Sequence, residues 1–160
     1  AGYRRIGFVG THMPEDHRAR KRLSGFEDGL AAAGVQLEAR EYYQGGSSLL
    51  KGRELTERIL ARAPDLDFLY FSNDMIGAGG LLYCLDKGYD IPNQIGLAGF
   101  NGVDLLDGLP IRLATTDARR VDVGRRAARL VAGKDIPPEG RVIALTPTFM
   151  PGDTIRMSKG

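Results

Sequence analysis

Five polar side chains of this sequence have the chemistry of a hydrogen-bonding ligand site. Arg22 carries a guanidinium whose fixed fork matches a carboxylate or a pair of hydroxyls. Asn73 and Asn101 each follow a short apolar run typical of a buried strand, and their amides both donate and accept hydrogen bonds. Ser47 opens a predicted helix, and His12 lies just past the first predicted strand. Mixed groups of this kind suit a small polyol or a sugar acid.

Each of these residues also has a purely structural interpretation. Arg22 lies among other basic residues of one helix and could simply be solvated. Either Asn73 or Asp74 is expected to cap the helix that follows, and Asn101 could cap a turn. From the residues alone, both interpretations stay open.

Motifs of the common enzyme classes are missing from the sequence. The glycines after the first predicted strand lack the spacing of a dinucleotide site, and no phosphate-binding loop follows any strand. His12 and His17 have no evident third ligand for a metal. Ser72 lacks the flanking glycines of a nucleophile elbow. We therefore expect no enzyme activity, no cofactor and no metal.

Composition indicates an ordinary globular chain. It has 160 residues, 42% of them hydrophobic and 26% charged, which suits one compact domain. The net charge of +2 is too balanced to argue for nucleic-acid binding. The single cysteine, Cys84, excludes an intrachain disulfide and indicates a reducing, cytoplasmic compartment. No signal peptide and no apolar run of the ~18 residues needed to span a membrane is present. Because the chain starts at Ala1, we expect a native N-terminal segment to be missing.

Short apolar runs alternate with amphipathic stretches along the chain, which predicts an α/β fold with a doubly wound parallel sheet. Ligands of such sheets bind beyond the carboxyl ends of the strands, where Asn73 and Asn101 lie. The predicted strands are Arg5–Val9, Val35–Tyr42, Phe68–Phe71, Ile95–Phe100, Leu113–Thr116 and Arg141–Phe149; the predicted helices cover about 19–33, 48–63, 75–87 and 119–132.

The helix predicted over 75–87 is apolar on two faces. Ile76, Gly80 and Tyr83 form one stripe, and a second stripe consists of Met75, Ala78, Leu82 and Leu85. One stripe can cover the sheet, whereas the other requires a further partner. That partner is either a neighbouring helix or a second subunit.

The helix predicted over 119–132 carries five arginines within 119–129. Such a charge run could contact nucleic acid, but aromatic residues between the arginines are missing. We therefore expect a solvated amphipathic helix, with four apolar residues facing inward: Val123, Ala127, Leu130 and Val131.

Several motifs, in order, resemble the effector-binding core of the lactose/galactose-repressor family of bacterial transcription regulators. An R-x-x-G-F helix motif begins at Arg22, and a strand ends in Ser72-Asn73-Asp74. The others are the opening strand in 2–10, Gly88, Ile91-Pro92, the strand Ile95–Phe100 and Leu113–Thr116. Within the family, the regions around Asn73 and Asn101 look most like gluconate-type repressors.

The resemblance implies a periplasmic-binding-protein-like (type I) fold of two similar subdomains. Residues 1–112 would form the C-terminal effector-binding subdomain, 113–133 a crossover strand and helix of the otherwise missing N-terminal subdomain, and 134–160 a return strand and tail. The helix-turn-helix that binds operator DNA would precede Ala1. The alternative is a solute-binding protein of a sugar transporter, which shares the fold.

The resemblance also implies roles for individual residues. Arg22, Asn73, Asn101 and Ser47 would contact a sugar or sugar-acid effector. From its own place just past the first strand, His12 could add a donor at the rim of the same site. Met75, Ala78, Leu82 and Leu109 would meet their copies in a homodimer. Two departures stand out: the family often has an acidic residue where Asn101 stands, and the tail lacks its usual arginine before the final strand. The first departure favours an anionic effector such as gluconate.

Overall fold

Four parallel strands form the central sheet in the order β2-β1-β3-β4. The computed structural model describes residues 1–11, 16–134, 136–138 and 142–157. The strands of this sheet are β1 (Ile6–Thr11), β2 (Leu37–Tyr43), β3 (Phe68–Phe71) and β4 (Gly96–Ala98). A bridge between Ala98 and Ala114 continues the parallel order beyond β4. The predicted parallel α/β sheet is confirmed.

Within the described residues, four α-helices and one short 3₁₀ helix connect the strands. They are α1 (His17–Ala32), α2 (Leu49–Arg62), α3 (Asp74–Asp86), the 3₁₀ helix Asp104–Gly108 and α4 (Arg120–Val131). Consecutive residues of β3 show that helices cover both faces of the sheet, because neighbouring side chains of a strand point to opposite faces. Tyr70 stacks on Phe26 of α1, with 4.2 Å between ring centroids. Phe71 instead fills the space beside Gly77 and Gly80 of α3.

Helices α2 and α3 pack backbone against backbone. A Cβ on Gly52 would meet the carbonyl oxygen of Ile76, and a Cβ on Gly79 would meet that of Leu49. Glycine at both positions therefore permits this close approach. The apolar residues around the contact, including Leu55, Ile59 and Leu81, are almost fully buried.

The last strand is much shorter than the predicted Arg141–Phe149. Strand β6 covers only Thr148–Met150 and pairs antiparallel with β5 (Thr115–Asp117). Residues 142–147 have no regular structure, and Arg141 lies outside the described residues. Because β5 offers three residues for pairing, the ladder ends after three pairs.

The tail after β6 lacks regular secondary structure, yet it is fixed to the sheet. Thr154 is fully buried. Its hydroxyl donates to the carbonyl oxygen of Leu97 at 2.6 Å and accepts from the amide of Ala114 at 2.8 Å. The amide of Leu97 donates to the carbonyl oxygen of Thr154 at 2.9 Å. The tail thus joins β4 to the segment that leads into β5.

The inward orientation predicted for the apolar residues of α4 is wrong for the described chain. No residue of α4 is buried. Val123 is 50% exposed and Val131 is 90% exposed, and Ala127 is also exposed. Leu130 is half-buried. The physical reason is that no other described element packs closely enough on this helix to bury its apolar face.

Membrane-spanning character is not found in the described residues, where every helix is too short or too polar to cross a bilayer.

Candidate functional site

Four of the five predicted ligand residues line one depression at the carboxyl edge of the sheet. Arg22 reaches it from α1, Ser47 from the loop after β2, and Asn73 and Asn101 from the ends of β3 and β4. The depression has a volume of about 440 Å³. Its other lining residues are Asp16, Arg18, Met75, Val103 and Leu105. His12, the fifth predicted residue, lies outside the described residues.

Arg22 is half-buried and is not a solvated surface residue. Its guanidinium carbon lies 4.9 Å from the centroid of the Phe100 ring, a cation–π geometry. Its Nε is buried and has no hydrogen-bond partner among the described residues. No described carboxylate forms an ion pair with Arg22, whereas Arg40, Arg53 and Arg62 all have one. Arg22 therefore keeps a charged, partly desolvated fork available at the depression.

Asn73, rather than Asp74, caps α3. Its Oδ1 accepts a hydrogen bond from the amide of Ile76 at 3.1 Å, which satisfies a free N–H of the first turn. Its Nδ2 donates to the hydroxyl of Tyr43 at 2.7 Å. These two bonds fix the amide and leave one of its N–H donors for a ligand. The capping interpretation is thus correct for Asn73, and it does not conflict with a place in the depression.

Asn101 has a backbone conformation that residues other than glycine seldom adopt, with φ at 125°. Its amide donates to the carbonyl oxygen of Thr116 at 2.9 Å, and its carbonyl accepts from the amide of Ala118 at 3.3 Å. Such a conformation costs on the order of 1–3 kcal/mol and persists only when its surroundings impose it. The side-chain amide makes no hydrogen bond with any described residue, so it does not cap a turn and is available to a ligand.

The loop before α2 presents the Ser47 hydroxyl at the rim. Ser48 caps the helix, because its Oγ accepts from the amide of Lys51 at 3.2 Å. The Lys51 ammonium donates to the carbonyl oxygens of Gln44 and Gly46 at 2.9 and 2.6 Å, which closes the loop on itself. Ser47 remains exposed, with no hydrogen bond to a described residue.

Among the described residues that line the depression, two are cations and one is an anion. Arg18 and Arg22 line it together with Asp16. Asp16 caps α1, and the amide of Ala19, with smaller contributions that include the charges of Arg18 and Arg22, lowers the pKa of its carboxyl. Asp16 is thus engaged by α1 and by Arg18, whose Nε lies 4.0 Å from the Asp16 Oδ1, so Arg22 carries the charge that no described carboxylate compensates. The remaining positive charge makes the depression suited to an anion.

Sequence reasoning missed one functional candidate, the carboxylate of Asp74. It is fully buried directly behind Asn73. It accepts hydrogen bonds from the hydroxyl of Thr115 at 2.6 Å and from the amide of Val103 at 3.1 Å. Burial raises the pKa of this carboxyl, and these hydrogen bonds offset part of the shift. The signal in the sequence is the acidic residue that directly follows the Asn73 cap, at a position of the first turn that faces inward.

The residues predicted for a subunit interface separate into different environments. Met75 lines the depression. Ala78 is fully buried within the chain, in the core cluster that includes α2 and α3 residues, and leaves no surface for the predicted contact with a copy. Leu82 and Leu109 are half-buried, and Leu109 also packs against the core. Within the chain, the neighbouring helix thus accounts for much of the second apolar stripe.

Potential metal-ligating groups do not cluster: no set of three or more His, Cys, Asp or Glu side chains that could hold a metal occurs among the described residues. The Cys84 thiol is buried, which raises its pKa to about 12. It therefore stays protonated and unreactive at neutral pH.

Comparison with known proteins decides the family. Residues 1–155 match the family model of the periplasmic-binding-protein-like domain. The chain belongs to this family. Within it, the periplasmic-binding-protein-like domain of this chain resembles transcriptional regulators, as the motifs predicted.

Two curated relatives illustrate this. The domain is 35% identical to the HTH-type transcriptional regulator GntR of Pseudomonas aeruginosa over 140 residues. This match covers 84% of the present chain and 40% of that regulator. It is 32% identical over 120 residues to the HTH-type transcriptional regulator IdnR of Escherichia coli K12, covering 75% and 36% respectively. The chain thus spans about two fifths of the length of these relatives.

Two solved structures agree with this domain over nearly its whole length. A LacI-family transcriptional regulator from Silicibacter pomeroyi superposes with a TM-score of 0.88 at 59% identity, covering 98% of this chain and 48% of that protein. The regulator GntR from Chromobacterium violaceum superposes with a TM-score of 0.84 at 31% identity, covering 96% and 57%. The predicted resemblance to the lactose/galactose-repressor family is confirmed.

Proposed function

We propose that this chain is the effector-sensing part of a bacterial transcriptional repressor that responds to a sugar or a sugar acid. The observation that carries the proposal is the convergence of Arg22, Ser47, Asn73 and Asn101 on one depression, where the buried Nε of Arg22 has no hydrogen-bond partner among the described residues. Operator DNA is bound through a helix-turn-helix elsewhere in the full-length protein, in the cytoplasm. The names of its relatives, which are HTH-type regulators, support this assignment.

The effector is an anionic sugar acid, with gluconate as the leading candidate. Arg22 offers a bidentate site for a carboxylate, and Arg18 adds a second positive charge at the rim. An acidic residue at position 101, which is frequent in the resembling family, would repel such a ligand. At ~4 Å and an effective dielectric near 20, two like charges cost roughly 4 kcal/mol before screening. Asn101 avoids this repulsion and keeps an acceptor and two donors for the hydroxyls.

The effector acts by closing a cleft between two subdomains. In this proposal residues 1–112 form one wall together with the start of the following segment, because Leu113 and Ala114 are buried against the same core. The part of 113–133 that belongs to the other subdomain is then α4. The exposed apolar face of α4 is consistent with a helix that packs outside the described residues. A ligand that contacts both walls binds the closed state better than the open one, and it shifts the balance between DNA-binding and non-binding states by that difference.

The repressor is a homodimer in which Leu82 and Leu109 contact their copies across a two-fold axis. Both side chains are half-buried within one chain, so each has surface left to bury. We expect Leu82→Asp to yield monomers in sedimentation experiments on the full-length protein. Leu50→Asp, the same change at a leucine of α2 that is 64% exposed, serves as the control and should leave the dimer intact. A dimer that persists in Leu82→Asp would place the interface elsewhere.

The functional test is a mobility-shift experiment on the full-length regulator, using DNA that the protein itself selects from a random pool. We expect gluconate to change the DNA affinity at least tenfold, whereas neutral glucose has no effect. The variant Asn101→Asp should lose the response to gluconate and keep its DNA affinity. Binding of DNA that is indifferent to gluconate and other sugar acids, or a response to glucose alone, would contradict the proposal.

A further inference from the structure

Asp74 lies in sequence between Asn73 and Met75, which both line the depression, but its own buried carboxylate does not line it. Its two oxygens accept from donors on two different segments. Oδ1 accepts from the hydroxyl of Thr115 on β5 at 2.6 Å, and Oδ2 accepts from the amide of Val103 in the loop after β4 at 3.1 Å. One side chain thus joins the start of α3 to the loop and to the next strand.

The loop from Gly99 to Val103, which carries Asn101, is bonded on both sides. On the α3 side, the amide of Asp74 donates to the carbonyl oxygen of Phe100 at 3.0 Å. On the β5 side, the amide of Asn101 donates to the carbonyl oxygen of Thr116 at 2.9 Å. Gly99 leaves no room for a Cβ beside the Asp74 carboxylate, so the loop lies directly against it. These contacts hold the loop on both sides of Asn101, whose φ is unfavourable.

We propose that Asp74 and Thr115 are positioning residues for the effector, because their buried hydrogen bond holds the loop in the conformation that turns the Asn101 amide toward the depression. This inference rests on the proposed function of the depression. Neither side chain touches the effector site. Without the Thr115 hydroxyl, the carboxylate loses its shortest hydrogen bond inside a buried pocket, where an unsatisfied acceptor is costly. The loop then relaxes, and the strained Asn101 backbone relaxes with it.

Neutral donors hold the Asp74 carboxylate. No described cation forms an ion pair with it, and the charge of Arg120 acts on it more weakly than its hydrogen bonds to Thr115 and Val103. The carboxylate therefore depends on a few donors in fixed places, and the removal of one of them displaces the group it holds. This makes Thr115 the most informative position to change.

The test compares Thr115→Val with Thr115→Ser in the full-length regulator. Valine keeps the shape and the β-branch of threonine but removes the donor, whereas serine keeps the donor. We expect gluconate affinity, measured by calorimetry, to fall at least tenfold in Thr115→Val and less than twofold in Thr115→Ser. Equal losses in the two variants would overturn the inference.

A double-mutant cycle separates positioning from a general loss of structure. If Thr115 acts through Asn101, the variant that combines Thr115→Val with Asn101→Ala should bind gluconate within twofold of Asn101→Ala alone. If the two losses multiply, Thr115 acts independently of Asn101 and the inference is wrong.

Hydrogen exchange of the ligand-free protein provides a measurement that does not depend on the effector. The amides of Asn101 and Val103 should exchange at least tenfold faster in Thr115→Val than in Thr115→Ser, while amides in β1 stay unchanged. Should the wild-type protein fail to bind gluconate, the proposed effector is wrong, and this exchange result alone then decides whether Asp74 and Thr115 hold the loop. Equal exchange in both variants overturns the inference.

Discussion

Helices α3 and α4 both follow a strand and both carry apolar residues, but only α3 is buried. Eight residues of α3 are buried, and none of α4 is. Helix α3 is apolar on every side and lies between the sheet and α2, whereas α4 has a single apolar stripe that no described residue covers. An apolar stripe in a sequence therefore predicts that a face will be covered, and it does not say by what.

The largest expected difference between the two helices concerns truncation of their apolar side chains. Leu81 of α3 is fully buried, so Leu81→Ala should lower the free energy of unfolding of the 160-residue chain by about 2–5 kcal/mol. Val131 of α4 is 90% exposed, and Val131→Ala should change it by less than about 0.5 kcal/mol. Urea unfolding measures both values. Similar losses in the two variants would remove the distinction between a buried and an uncovered helix.

Replacing a glycine of each helix by alanine sharpens the same comparison, because the stability of the chain should fall in α3 and rise in α4. A Cβ at Gly79 in α3 would meet the backbone of Leu49, so Gly79→Ala should destabilise the chain by roughly 1–3 kcal/mol. Gly124 in α4 has nothing within 4 Å of an added Cβ. Because alanine favours a helix over glycine, Gly124→Ala should stabilise the chain by about 0.4–1 kcal/mol. Thermal unfolding of both variants is the check, and a loss of stability in Gly124→Ala would show that α4 is packed after all.

The smallest effect concerns the ion pair that attaches the tail beside β5. Hydrogen bonds from the Arg112 side chain, and then from its amide, lower the pKa of Asp153 from 3.8 to about 2. A carboxyl whose pKa is lower in the folded state stabilises the fold above its unfolded pKa and loses that contribution as the pH falls. Between pH 4 and about pH 2 the free energy of unfolding falls with pH in the wild type, and we expect it to fall slightly less in Asp153→Asn. An acid-unfolding curve identical to that of the wild type would show that this exposed pair contributes nothing.

The order of strands and helices could be predicted because caps, glycines and prolines separate the apolar runs. The depression followed from that order, since parallel strands all end at one edge and bring Asn73 and Asn101 together there. The environment of Ala78 could not be predicted, because a helix that is apolar all round has no unique face. The contact between Asp74 and Thr115 joins residues 41 positions apart, which no local pattern indicates.

The position of Arg22 shows both what the sequence predicts and what it leaves open. Its helix and its motif are visible in the sequence, but three other basic residues stand within four positions of it. Only packing on the Phe100 ring and burial of Nε distinguish Arg22 from them. Tertiary contacts, rather than residue type, therefore single out the cation that faces the ligand.

The most direct test of the central claim is calorimetry of gluconate binding to the full-length regulator and two arginine variants. Arg22→Ala removes the cation that we place against the effector carboxylate, and Arg20→Ala removes an exposed cation from the same helix that does not line the depression. We expect Arg22→Ala to weaken gluconate binding at least a hundredfold, which is about 2.7 kcal/mol, and Arg20→Ala to leave it within twofold of the wild type. Tight gluconate binding by Arg22→Ala, or equal losses in the two variants, would contradict this account of the depression.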